Sequence, residues 1–472
     1  MNAIITSAVC GVIMMFSSVF VENKKTYRHI AAVLLLLLLA VNVADTYGIR
    51  LFHIDTKGML LFDRFGYFFN SIAIASTLIY VVLTGRDIEK VGTYTAEYFV
   101  LIFFVLCGVT ILSSYNTLLM LFLGIEILSI PLYILTGADK RNLKSNEAAL
   151  KYFLMGSFST GIMLMGITLI YGATGTFDIY VTPKETITGQ PAIVYSLLES
   201  AGLILMMISI GFKVSAAPFH FWTPDVYDGS PGVFTSFMAT IVKAAGFIAF
   251  IKLFDARADA SGVEANAFTG VDWKMLFAIL IVSTLLIGNI TAVFQQSVKR
   301  MMAYSSIAQA GFMLFALFSL NDVAKEGLLL YAAAYSLASI GIFAIMVKMK
   351  DHTFEGYNGL SKTQPVLAAT NTIFLLSLAG IPLTAGFFAK YYMLASVMKT
   401  SGYLWLVIVG VVFAAVSVYY YFRVIQAMYF KDGEATITEE VSKGFKVGII
   451  VLAGLIILFG ILPQSLLQWF YF

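Results

Sequence analysis

The sequence predicts an all-α, polytopic membrane protein of about fourteen spanning helices, and three observations carry that expectation. Of its 472 residues, 60% are hydrophobic and only 12% are charged, whereas a soluble domain carries roughly 25% charged residues. A hydrocarbon core about 30 Å thick takes roughly 20 apolar residues per helix, and such stretches recur along the whole chain with no soluble domain between them. Leucine-rich runs such as Ala31–Ala40 lack the alternation of a membrane β-barrel.

In order, the expected spans are 3–21, 29–46, 60–83, 97–113, 117–136, 147–171, 200–219, 231–254, 275–294, 301–320, 323–348, 367–397, 403–429 and 447–470. Positive charge (Lys24, Lys25, Arg28) follows the first apolar stretch instead of preceding it, which is the order of a retained span and not of a cleaved signal. Only Ser113–Asn116 separates the fourth span from the fifth. Loops after odd-numbered spans hold 18 of the 30 basic residues, among them Lys140, Arg141, Lys144, Lys299, Arg300, Lys348 and Lys350. The termini and the opposite loops hold 9, among them Arg50, Lys184, Arg257 and Lys325. Because basic loops stay on the cytoplasmic side, both termini are expected outside, on the periplasmic face of a bacterial inner membrane. The acidic loop with Asp225 and Asp228 then falls inside, an exception the rule tolerates because acidic residues count for little.

Composition also excludes several functions. No basic cluster sits on a foldable soluble face, so nucleic acid is not an expected partner. The two cysteines, Cys10 and Cys107, cannot hold an iron–sulfur cluster that usually takes four thiolates. The histidines are scattered, and no glycine fingerprint opens a βαβ unit. No cofactor or metal is expected in this chain.

With residues near a span end counted to the adjoining loop, three basic residues remain inside spans: Lys213, Lys243 and Lys390. A charge at a bilayer centre costs roughly 2.5–3.5 kcal/mol and usually marks transport. Snorkelling is the structural alternative. It fails for Lys243, which lies near the middle of its span with roughly 16 Å of helix on either side. Lys390, closer to the span end at Val397, leaves both readings open. Glu126 lies centrally in Leu118–Leu135, and Lys213 is its natural partner, in a functional or a static ion pair.

Helix breakers accompany two of these lysines. Lys213 precedes Pro218, whereas Gly380 and Pro382 precede Lys390. Interrupted helices of opposite orientation, five spans apart, suit inverted transporter repeats, although ordinary proline kinks would share the pattern. On this reading residues 1–113 lead into the first repeat, 97–254 form it, 275–429 form the second, and 447–472 add the last span. Glu147 and Lys151 share a helix face, as a solvated pair or a functional one. Ser305, Gln309, Tyr335 and Ser339 could hold a water wire or act as helix-packing glue. Asn289, Ser306, Tyr331 and Ser336 invite the same two readings.

At these residues a family resemblance becomes specific. The segment Leu121-Phe-Leu-Gly-Ile-Glu126-Ile-Leu-Ser-Ile-Pro131 resembles the glutamate-bearing fifth helix of antiporter-like subunits of respiratory complex I. Pro218-Phe-His-Phe-Trp-Thr-Pro-Asp-Val-Tyr227-Asp-Gly-Ser-Pro231 resembles the N-type subunit in particular, while Mrp-type antiporters and sister subunits tend toward a Trp-Leu-Pro-Asp-Ala wording. Val298–Ser306 and Gly380–Lys390 are similar to the family as well, so the likeness covers nearly the whole chain in order. It implies a proton relay in which Glu126 and Lys213 are coupled, Lys243 is central and Lys390 terminal, with Glu147 and Lys151 as a possible proton input. It further implies partner subunits of complex I that carry FMN, iron–sulfur clusters and quinone, among them an M-type neighbour and small membrane subunits. NADH is the default donor by that resemblance. Gln309 departs from the histidine common there, and no lateral helix is expected beyond the fourteenth span. A stand-alone or Mrp-type Na⁺/H⁺ antiporter and a non-transporting scaffold are the alternatives.

Overall fold

A computed structural model describes residues 1–21, 23–180, 192–261, 271–437 and 441–471. Lys184, one of the outer-loop basic residues, lies outside them. The described chain is helical, with isolated bridges but no named strand among the described residues. It begins with α1 (Asn2–Phe20), α2 (Lys24–Thr46), α3 (Arg64–Val91), α4 (Thr95–Ser114), α5 (Leu118–Thr136), α6 (Leu143–Thr174) and α7 (Ala192–Val214). There follow α8 (Trp222–Gly229), α9 (Gly232–Phe237), a π turn (Met238–Val242) and α10 (Lys243–Ser261). The second half holds α11 (Trp273–Val293), α12 (Val298–Ser319), α13 (Asp322–Met346), α14 (Pro365–Ala379), α15 (Ala385–Met398), α16 (Leu404–Phe430), α17 (Lys443–Ile461) and α18 (Gln464–Tyr471).

Side-chain caps explain many of the helix starts. Asn23, Asp63, Thr117, Asn142, Asp272, Ser297, Asn321 and Ser442 each accept a hydrogen bond from a first-turn amide, which satisfies a donor that has no intrahelical partner. Several helices therefore begin before their apolar stretch does. Among the described residues, thirteen helices are long and apolar enough to cross a membrane. The broken pair α14 and α15 occupies the place of the remaining expected span.

Burial sorts these helices into an interior and a rim. The most apolar windows of the α9–α10 crossing and of α13 are 100% buried, and that of α12 is 94% buried, against 33% for α1, α6 and α17. The three interior crossings carry Lys243, Ser305, Gln309 and Tyr335. Ion pairs brace this interior: Lys348 on the turn after α13 meets both carboxylate oxygens of Asp87 on α3 at 2.7 Å. Arg257 of α10 meets Glu199 of α7 at 2.9 Å, with both side chains buried.

The seventh crossing is not one helix through Pro218. It stops at Val214, turns through Ser215 at φ 65°, and resumes as α8, so Pro218 lies in the break with a cis Ala217–Pro218 bond. Lys213 consequently sits in the last turn of α7, directly before the break. The second break runs through Gly380 at φ 83°, Pro382 and Leu383 at φ 72°, between α14 and α15. Its chain ends approach very closely, since a Cβ on Gly386 would lie 1.8 Å from the Ser377 carbonyl oxygen. Gly386→Ala is therefore expected to prevent the second break from closing. The check is the amount of folded chain recovered from the membrane, which should fall sharply, whereas Gly454→Ala, where the added methyl meets nothing within 4 Å, should leave it unchanged.

Candidate functional site

Lys213 is buried against α5 and α6. Its ammonium donates to Ser129 Oγ at 2.7 Å and to Tyr152 Oη at 3.2 Å, and it lies 5.3 Å from the centre of the Tyr152 ring and 5.9 Å from that of Tyr133. Those faces attract a cation. The direct Glu126–Lys213 ion pair expected from the sequence is not made. Ser129, one turn beyond Glu126 on α5, and Tyr152 take the hydrogen bonds of the ammonium instead. Position along a helix identifies depth, but not that a hydroxyl of Glu126's own helix and one of α6 come between the two charges. Trp222 of α8 closes the site, stacking on Tyr152 at 4.6 Å and 6° and donating from Nε1 to the Phe212 carbonyl at 2.9 Å. That carbonyl, in the last turn of α7, also accepts from the Ser215 amide at 3.1 Å.

Lys243 follows directly on the π turn and is 1% exposed, so it does not snorkel. Its ammonium donates to the Ser306 carbonyl at 2.8 Å and to Ser306 Oγ. Among the described residues no carboxylate pairs with it. Lys213 lies beside the next turn of α10: a Cβ on Gly246 would meet Lys213 Cγ at 3.9 Å and Val214 Cγ1 at 2.7 Å.

Lys390 is buried as well, which settles its case against snorkelling. It donates to the Ala379 carbonyl at the end of α14 at 2.9 Å and stands 4.7 Å over the Phe312 ring. Gly380 makes this possible, since a Cβ there would come within 2.8 Å of the lysine stem. A cavity of about 10 Å³ joins Lys390 to Tyr335, Tyr331, Gln309 and Ser377, room for about one water. Gln309 donates to the Leu378 carbonyl at 2.9 Å and to Tyr421 Oη at 3.0 Å, and accepts from Tyr331. Ser305 is hydrogen-bonded to Tyr421. The amide is thus held on three sides, and an amide does not titrate.

Glu147 and Lys151 belong to a different place. They lie on the face onto which the Lys- and Arg-rich loops open, here called the basic face. Their side chains are 63% and 41% exposed, and they are paired at 2.7 Å. Lys151 also reaches Asp225 of α8 at 3.0 Å, and Asp225 reaches Arg300 of α12 at 3.1 Å. Asp225 of the acidic loop is therefore neutralised from two neighbouring helices.

Sequence reasoning did not single out Ser129, Tyr152, Trp222, Tyr227 or Tyr421. It also assigned Lys299 to a loop and passed over Lys252, near the end of the 231–254 span. Both are buried and donate to backbone carbonyls, Lys252 to Ser113 and Leu61, Lys299 to Asp228 and Ser230. A usable signal existed for Ser129, one turn beyond Glu126. For the others none did, because each acts across helices distant in sequence.

Two broken helices, each with a buried lysine at its interruption, and a third lysine between them define an antiporter-like ion-translocating membrane subunit. Residues 115–417 match the family described as NADH:quinone oxidoreductase/Mrp antiporter, TM. The chain belongs to that family, in its subunit-N branch. It is 39% identical to NADH-quinone oxidoreductase subunit N of Cytophaga hutchinsonii, over 99% of both chains. The corresponding protein of Trichlorobacter lovleyi is 36% identical over 98% of this chain and 94% of its own. Among solved structures, a chain of respiratory complex I from Thermus thermophilus with bound aureothin matches with a TM-score of 0.82 at 30% identity, over 99% and 98% of the two chains. A chain of the Mrp complex from Dietzia sp. shares the fold alone, with a TM-score of 0.82 at 16% identity over 99% and 96% of the chains.

Proposed function

We propose that this chain conducts protons as the antiporter-like subunit N of a bacterial NADH:quinone oxidoreductase, driven by quinone reduction elsewhere in the complex. The supporting observation is the succession of exchangeable groups through the bundle. It runs from Glu126 and Ser129 to Lys213, past the α10 turn to Lys243 and Ser306, and resumes at the one-water cavity that Tyr335 lines with Lys390. Serine and tyrosine hydroxyls both donate and accept, so each can hand on a proton. The route passes Tyr335 and leaves Gln309 as a fixed support. Displacing Glu126 relative to Lys213 changes how tightly that ammonium holds its proton, which couples an outside event to transfer toward Lys243. Electron chemistry, with FMN, iron–sulfur clusters and quinone, falls to the partner subunits, and both termini face the periplasm. An M-type subunit and small membrane subunits are the neighbours.

Replacing Lys213, Lys243 and Lys390 together with neutral residues tests the proposal: the proton-to-electron ratio in membrane vesicles should collapse. An unchanged ratio would leave only a scaffold. Tyr335→Phe, which removes one hydroxyl from the route, is expected to slow pumping about tenfold, the worth of one hydrogen bond in the limiting step. The shared fold of the Mrp chain favours a second reading, Na⁺/H⁺ exchange by an Mrp-type subunit. Purification of the tagged chain separates the two, since flavin and iron–sulfur absorbance should travel with it only in the first.

A further inference from the structure

The charged cluster on the basic face is built onto the same two helices as the Lys213 site. Asp225, in the first turn of α8, accepts from Lys151 of α6 at 3.0 Å and from Arg300 of α12 at 3.1 Å. Tyr152 follows Lys151 on α6, and its ring stacks on Trp222, which lies just before Asp225 on α8. Two adjacent rungs therefore join α6 to α8, an ion pair at the surface and a ring stack inside. The inner rung ends on the relay, because Tyr152 Oη accepts from Lys213 and Trp222 holds the carbonyl of Phe212. Arg300 extends the outer rung to α12, the helix that carries Ser306.

We propose that Asp225 is a positioning residue for Lys213, whose carboxylate, clamped between Lys151 and Arg300, holds α8 so that Trp222 and Tyr152 keep the ammonium on Ser129. The inference rests on the reading of Lys213 as a relay group. It gives the exposed Glu147–Lys151 pair a second role: Lys151 is shared between Glu147 and Asp225, so charge changes at the surface alter the clamp.

Its pH signature follows from the groups that face the carboxyl. These are Lys151 and Glu147 from α6 and Arg300 from α12, while Lys299 gives its ammonium to the Asp228 and Ser230 carbonyls. Burial raises the Asp225 carboxyl, but the hydrogen bonds from Lys151 and Arg300 outweigh it and hold the group below the usual carboxylate range. A carboxyl held low is charged above its unfolded value, and its contribution is lost as pH falls through the folded value. Removing Arg300 takes away one of the two cations and moves that loss to higher pH.

The experiment measures the proton-to-electron ratio of the assembled complex in membrane vesicles, from neutrality down to about pH 3, below the roughly 3.9 at which an unperturbed aspartate titrates. Asp225→Asn should lower the ratio about fivefold or more, a barrier change of about 1 kcal/mol, and Asp225→Glu should restore most of it. Arg300→Gln should pump near neutrality while its acid limb moves up by about half a pH unit or more, as loss of one charge partner requires. A normal ratio in Asp225→Asn, or a uniform loss in Arg300→Gln without displacement of the limb, would overturn the proposal. Lys213→Ala runs beside them. If it pumps normally, the relay reading itself has failed; if it alone loses pumping, only the role of Asp225 has.

Discussion

Lys243→Ala lowers quinone-coupled proton pumping about a hundredfold while the complex still assembles: that is the expected result. The size follows from removing the ammonium between two half-routes, since a proton must then pass from Lys213 toward Lys390 on hydroxyls alone, and each 1.36 kcal/mol of added barrier is about tenfold in rate. Assembly survives because two terms oppose each other. The variant loses the hydrogen bonds to Ser306, about 1.5–3 kcal/mol for a charged donor. It also escapes the cost of a buried ammonium, roughly 2.5–3.5 kcal/mol. Neither dominates, so the fold is retained and the loss is one of transport. Parallel measurement of pumping and of complex content in the membrane checks it. A wild-type proton-to-electron ratio would remove Lys243 from the relay.

Lys390→Arg is expected to be comparably severe, for a different reason. A guanidinium keeps the positive charge and the donors, so it can still meet the Ala379 carbonyl that Lys390 now holds at 2.9 Å, and the break between α14 and α15 remains capped. It does not give up its proton in a protein, so release stops. Lys390→Met separates the two roles from the other side. It lacks both donor and charge, leaves that carbonyl unpartnered at about 1–3 kcal/mol, and should therefore lose thermal stability as well as pumping. Pumping assays paired with thermal unfolding of the purified complex distinguish the cases. If the arginine variant pumps normally, Lys390 is a structural cap and not the terminal relay group.

Much of the site was legible because depth in a membrane is a one-dimensional property. Lys243 is too far along its helix from either boundary for its stem to escape, and the count of residues alone says so. The breaks were legible for a similar reason: Pro218, Gly380 and Pro382 disrupt a helix whatever surrounds them. Partners were less accessible. The sequence offered Glu126 as the ion-pair partner of Lys213 because those were the central charges of opposite sign in neighbouring spans. The folded chain gives the hydrogen bonds to Ser129 and Tyr152 instead, two residues among dozens of similar ones.

Hydropathy, charge placement and the helix breakers were enough for the all-helical class, the number of crossings, the two interruptions and the three lysines inside spans. Each follows from the cost of exposing backbone or charge to lipid, a cost levied residue by residue. The contacts of those lysines, the burial of Lys252 and Lys299 and the clamp on Asp225 emerged only once the helices were packed. Hydrogen bonds and ion pairs act over a few ångströms, and which groups come that close depends on which helix faces meet.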